Sequence, residues 1–112
     1  MKNWIARIRA SDKQILDDIK SGLKIVETRA ATDKYKKMQV GDAITFVCGK
    51  ERLEKEIKKV EWFPTRGAMF KKIPFKQIFP RAATEKEAKE QYDTFAGYPE
   101  KIKKFGLIVF YL

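Results

Sequence analysis

The chain has no histidine and a single cysteine, Cys48, in 112 residues. The first absence removes Ser-His-Asp and Cys-His nucleophilic systems and any histidine-bearing metal site. The second removes zinc ribbons, CxxC redox pairs and an intrachain disulfide. No metal or cofactor is therefore expected. Proton transfer near neutral pH falls to a perturbed carboxylate, lysine or tyrosine, or to a chain terminus. No apolar run approaches the ~20 residues that cross a bilayer, and Met1-Lys2-Asn3-Trp4-Ile5 lacks the apolar core of a secretory leader. The expectation is a cytoplasmic chain without a membrane partner. Acidic residues are also scarce: 15 Asp and Glu against 25 Lys and Arg give a net charge of +10. The excess divides evenly between the two halves, so it is not a separate basic arm. It favours a polyanionic partner, nucleic acid first, through counterion release. A lysine-rich protein with no such partner fits the charge equally well.

What is present suffices for one domain spanning residues 1–112. With 44% hydrophobic and 12% aromatic residues, the chain can fill a core rather than trail as a basic tail. Residues 4–9 alternate as a first strand, with Arg7 and Arg9 on the polar side. Ser11 can cap a short helix carrying Ile15, Leu16 and Ile19, which Gly22 stops. Strands follow at 24–29 and, after a polar connection and the Gly41-Asp42 turn, at 43–48. A hairpin at 49–52 leads to a long fourth strand over 53–63, ended by Pro64. Thr65 caps a short helix that Pro74 stops. Thr84 caps a longer one with Glu85 and Glu87 in its first turn, and Gly97 ends it. A nearly continuous apolar strand closes the chain at 105–112. No parallel βαβ unit is evident. The order favours an α+β fold: a small mixed, mostly antiparallel sheet or barrel with helices at its ends.

The segment Gly22-Leu23-Lys24-Ile25-Val26-Glu27-Thr28-Arg29 puts three charges into a β-forming stretch directly after a helix stop. Period two places Glu27 and Arg29 on one face and Thr28 on the other, with Lys24 at the strand mouth. Such a trio can offer cations to a phosphate or carbonyl and a carboxylate to an amine or a proton. An ion pair closing a solvated rim is the plainer use of Glu27 and Arg29.

This GxKxxExR pattern after a short helix resembles the ASCH family, whose fold is PUA-like. Gly41-Asp42-Ala43-Ile44-Thr45-Phe46 is similar to the family's following GDxIxF strand. The strand and short helix over 60–70, the helix ending near Tyr98-Pro99 and the closing apolar strand also fit, so the resemblance covers about residues 4–112. It implies a small PUA-like β-barrel with flanking helices and a basic cleft beside the motif, taking RNA or a nucleoside- or nucleotide-like ligand. Small members of similar length are amidohydrolases acting on N4-acetylcytidine. In them the motif's lysine and a threonine three residues later are catalytic, helped by a downstream glutamate. Lys24 matches the lysine. Glu27 stands at the threonine position, as in the wider family, and Glu85 is the nearest candidate for the downstream glutamate, with Glu87 next. The resemblance thus implies binding through Lys24, Glu27 and Arg29 or, alternatively, metal-free catalysis by Lys24, Glu27 and Glu85. Beside Arg29, Glu27 is pushed towards a low pKa and is a poorer base, which ranks binding above catalysis.

A second feature is the window 66–81, with Arg66, Lys71, Lys72, Lys76 and Arg81 and no acidic residue between Glu61 and Glu85. Phe70, Phe75 and Phe79 are interleaved. Cations that track phosphates, with rings that stack bases, suit single-stranded nucleic acid. Phe75 and Phe79 read first as core anchors beneath the loop, since each short helix must bury an apolar face. Lys34, Lys36 and Lys37, with Tyr35, extend the basic surface. Tyr98 is a candidate lining residue, Trp4 and Trp62 read as core or cleft wall, and Cys48 as an inert buried thiol. Nothing in the sequence supports a protein partner.

Overall fold

The first alternating stretch forms β1 (Asn3–Arg7), and a 3-10 turn at Ala10–Asp12 leads into α1 (Lys13–Ser21). The computed structural model describes residues 1–112. Leu16 and Ile19 are the buried apolar side of α1, and Gly22 stops it at φ 85°, a left-handed conformation that favours glycine. β2 (Val26–Ala30), α2 (Asp33–Lys36), β3 (Ala43–Cys48), β4 (Glu51–Glu56) and β5 (Lys59–Phe63) follow. The remainder is α3 (Arg66–Lys72), α4 (Phe75–Ile78), α5 (Glu85–Gln91), a 3-10 turn at Tyr92–Thr94, α6 (Tyr98–Phe105) and β6 (Leu107–Tyr111). Both threonine caps form. Thr65 Oγ1 accepts from the Ala68 N–H and Thr84 Oγ1 from the Glu87 N–H, each at 3.1 Å.

The strands make two sheets of three, ordered β1-β3-β4 and β2-β6-β5. In the second sheet β6 is the middle strand, antiparallel to both neighbours. Its side chains alternate between two cores, and this explains its unbroken apolar sequence. Ile108 and Phe110 join Phe46, Ile44, Leu16 and Ile19 between the sheets. Leu107 and Val109 join Met69, Phe70, Ile78, Tyr92 and Ile102 beneath the helices. β2 obeys the same parity: Val26 and Ala30 enter the helical core, while Glu27 and Arg29 fall on the side facing the first sheet.

The PUA-like, mostly antiparallel barrel expected from the sequence is not what the chain forms. Neither sheet closes, and each ladder stops at three strands. The expected long strand over 53–63 breaks between Ile57 and Lys58. The Ile57 N–H bonds to the Asp42 carbonyl at 2.8 Å, whereas the Lys58 N–H bonds to the Tyr111 carbonyl at 2.8 Å. Two successive residues thus serve different sheets, and no ladder runs across the join. On the other side β1 and β2 never pair, and the Arg29 guanidinium donates to the Arg7 carbonyl at 3.2 Å between them. β1 is also parallel to β3, in register Ala6 with Phe46, a pairing the sequence did not announce.

Candidate functional site

The open side between β1 and β2 is where the charged motif lies. The Lys24 N–H bonds to the Asp18 carbonyl at 2.9 Å, folding the chain back over the end of α1 before β2 begins. This turn sends the lysine inward, leaving the residue only 2% exposed. Its ammonium donates to the Ile78 carbonyl of α4, lies 3.7 Å from Glu27 Oε1 and sits 5.2 Å from the centre of the Phe79 ring. Glu27 also accepts the Thr28 N–H at 2.9 Å through Oε1, while Oε2 lies 3.3 Å from the Arg29 guanidinium. Arg29 in turn lies over the Tyr35 ring, 5.6 Å from its centre.

Burial dominates the electrostatics of Lys24 and lowers its pKa from the ordinary lysine value, with Glu27 pulling the other way. Burial would raise Glu27, but the charges of Lys24 and Arg29 and the Thr28 N–H outweigh it and hold the carboxyl below its usual range. Burial likewise raises the Tyr92 and Tyr98 phenols. The Tyr92 hydroxyl is bonded to Thr28 Oγ1.

A cavity of about 260 Å³ opens beside this cluster. Glu27, Thr28 and Arg29 form one wall, Arg7, Arg9 and Asp12 another, and Phe79, Phe95 and Tyr98 supply aromatic surface. Arg9 is pinned by Asp12 at 2.7 Å and lies over Phe95. The Arg7 guanidinium has no hydrogen-bond or ion-pair partner. A smaller depression of about 160 Å³ is bordered by Lys24, Asp18, Arg81 and Glu87, and shares Ile15 and Phe79 with the cavity. Arg81 grips Asp18 with two hydrogen bonds, at 2.9 and 2.8 Å. Lys24 therefore reaches Glu27 from below, with Phe79 between the two openings.

No protein-family model matches this chain, and no curated protein matches it. Solved structures do share its fold. The crystal structure of hypothetical protein PH0355 aligns with a TM-score of 0.83 at 25% identity, covering 99% of this chain and 96% of that one. The solution NMR structure of protein PF0455 from Pyrococcus furiosus aligns with a TM-score of 0.76, also at 25% identity, over 97% and 94%. These likenesses speak to the fold. No helix of the chain is long and apolar enough to cross a membrane.

Among the residues singled out in the sequence, Lys24, Glu27 and Arg29 come together, and Tyr98 borders the same cavity. Thr28, which parity alone would turn away, also reaches the cavity wall. Of the basic window only Phe79 reaches it, and none of its cations does. Arg66 ties α3 to α5 through Asp93 at 2.9 Å and the Lys89 carbonyl at 2.8 Å, and Lys72 is bonded to Glu61. Lys71 and Lys76 are exposed and border neither opening. Glu85 faces solvent, 3.2 Å from Lys89, whereas Glu87 borders the Lys24 depression and accepts the Ala83 N–H at 2.8 Å. The cations that do line the cavity beside Arg29 are Arg7 and Arg9. Their one sequence signal was charge alternating with apolar residues on the first strand.

Proposed function

We propose that the chain binds a single nucleoside unit, free or carried by an RNA, in the cavity edged by Glu27 and Arg29, and that it is a member of the ASCH family its sequence resembles. One observation carries this reading: a buried carboxylate, kept ionised between two cations, stands in the wall of a small cavity with aromatic sides. A carboxylate accepts only, so it suits the amino and imino N–H groups on the edge of a base. Glu27 Oε2 receives a single donor within the protein and has capacity for another. Phe79, Phe95 and Tyr98 offer ring surface to the base. Arg7, unpaired at the mouth, suits a phosphate. A volume of about 260 Å³ falls just under the ~300–1,000 Å³ of common ligand pockets, which favours one base with its sugar. Lys71 and Lys76 remain available to the phosphates of a longer RNA.

Titration of the protein with the four ribonucleosides and their monophosphates, followed by NMR, tests the proposal. At least one nucleoside should shift resonances of β2 and of the Phe79 and Phe95 rings, and Glu27→Gln should abolish the effect. Arg7→Ala should weaken the monophosphate and spare the nucleoside. Absence of any shift at about millimolar ligand, an affinity worth only ~4 kcal/mol, would reject the reading.

A second reading has its own observation: Thr28 and Glu27 share the cavity wall, and Lys24 beneath them is desolvated, as a lysine acting as base requires. In this reading the chain is a metal-independent hydrolase of N4-acetylcytidine. Water adds to the acetyl carbonyl, the C–N bond breaks, and the departing N4 amine takes a proton. Lys24 serves as base or oxyanion partner and Glu27 orients the water. Release of cytidine and acetate, lost in Lys24→Ala, would establish turnover; a silent wild type would dismiss it.

A further inference from the structure

Trp62 lies across the sheet from this cavity, level with Arg29 through Ile108 of β6. The cavity is at β2, one edge of the β2-β6-β5 sheet, and Trp62 is on β5, the other edge. Two strand spacings, roughly 10 Å, separate the edges. Trp62 is 54% exposed, the largest side chain left so open, but it is not loose. Its indole N–H donates to the Phe105 carbonyl at 2.9 Å, which fixes the ring at the end of α6. The ring also rests against Gly106. A Cβ there would stand 2.7 Å from Nε1 and 2.8 Å from Cε2 of Trp62, and 2.5 Å from the Phe63 carbonyl oxygen. Gly106 has φ 79°, so both the backbone turn and the seat of the indole need glycine.

Positive charge gathers at Phe105, the residue that holds the indole. Lys104 and Lys36 approach the Phe105 ring, their ammonium nitrogens 5.2 and 5.9 Å from its centre, and neither is in an ion pair. The one carboxylate that could oppose them on β5, Glu61, is on the alternate face and is engaged by Lys59, Lys72 and the Tyr111 hydroxyl. A fixed, exposed indole beside two free ammonium groups is the arrangement that a base and its neighbouring phosphates occupy. We infer that the Trp62 edge, with Lys36 and Lys104, is a docking surface for single-stranded nucleic acid, separate from the Glu27 cavity. A base stacks on the indole and adjoining phosphates pass over the two lysines. The charge argues for this occupant over an apolar one, since a second copy of a chain of net charge +10 would bring like charge to the same place.

The test is tryptophan fluorescence of the full chain titrated with a ten-nucleotide unstructured RNA and a DNA of the same sequence. Bound oligonucleotide should quench the emission and protect it from acrylamide. Trp62→Ala should weaken binding by about tenfold or more, and Trp62→Phe, which keeps a ring, by less. Replacing Lys36 and Lys104 together by Gln should lower the salt dependence by about two phosphate contacts. Equal loss for RNA and DNA would mean stacking and charge alone; a larger affinity for RNA would add the 2′-hydroxyl. Nucleoside binding in the cavity should be unchanged in Trp62→Ala, so either site can fail without the other. Oligonucleotide affinity untouched by all three variants, or a concentration-dependent dimer that alone shields Trp62, would overturn the inference.

Discussion

The two edge strands of the second sheet each hold a glutamate between two cations, and the pairs of triads differ mainly in water. On β2, Glu27 lies between Lys24 and Arg29, with the lysine and glutamate side chains 2% and 8% exposed. On β5, Glu61 lies between Lys59 and Lys72, both 58% exposed. The outer triad is a surface feature: Lys72 and the Tyr111 hydroxyl pull the Glu61 pKa down to about 2, while desolvation, then the contact with Glu61, moves Tyr111 up to about 12. Solvent and salt discount what such pairs give to stability. The inner triad has no such discount. Its charges have left water, so each depends on the others, and removing one strands the rest. A glutamate between two cations thus makes a replaceable clasp at one edge and an obligatory polar core at the other.

The sharpest way to break this comparison is Glu27→Gln. It leaves the Lys24 ammonium buried against a neutral group, and a loss of ~3–5 kcal/mol in urea unfolding is expected. Adding Lys24→Met to that variant should recover part of the loss, since an apolar side chain needs no counter-charge. Next comes Tyr92→Phe, which strips the partner from buried Thr28 on the same strand. The expected cost is ~1–3 kcal/mol by the same measurement. Glu61→Gln should cost less than Glu27→Gln at neutral pH, because its two lysines stay in water. It should, however, flatten the acid limb of the stability curve. The folded Glu61 pKa lies below its ordinary 4.5, so between that value and about 2 the unfolded chain binds more protons and the wild type loses stability as pH falls. Glu27→Gln should lose a similar limb, because its folded pKa is also depressed. The smallest effect is that of salt. Raising ionic strength should narrow the stability gap between the wild type and a Lys59→Gln, Lys72→Gln variant by a few tenths of a kcal/mol, because the other surface pairs are common to both proteins.

The parts of this molecule that could be read in its sequence are those whose causes are local. Gly22 announces the end of α1, Thr65 and Thr84 announce their helices, and the 22–29 segment announces a strand with charges on one side. Gly97 misleads because a left-handed glycine can precede a helix as well as end one. Here it stands at the cap of α6, with Pro99 in the first turn. No glycine or proline marks the break at Ile57–Lys58; two distant carbonyls, of Asp42 and Tyr111, impose it. Together with the unpaired edges of β1 and β2, that non-local choice leaves two open sheets in place of a closed barrel. The site divides in the same way. Lys24, Glu27 and Arg29 sit close in sequence and stay close in space, whereas Arg7 and Arg9 join them only because β1 crosses beside β2. The cluster of positive charge at 66–81 is dense in sequence but dispersed in space: Arg66, Lys72 and Arg81 are each claimed by a different acid.

The position of β6 carries a consequence for how the chain assembles. β1, β3 and β4 can zip together as soon as residue 56 is available, whereas β2 and β5 hydrogen-bond to nothing but β6 in their sheet. Glu27 must therefore wait for Phe110, its partner across the ladder, before the strand that holds it has a neighbour. Long-range pairing of this kind is slow, because the entropy of closing the loop is lost before the contacts are made. On a ribosome, the first sheet has all its strands while the charged strand still lacks its neighbour. The expensive step, taking Lys24, Glu27 and Arg29 out of water, is deferred to the moment when the last strand arrives to bury them together.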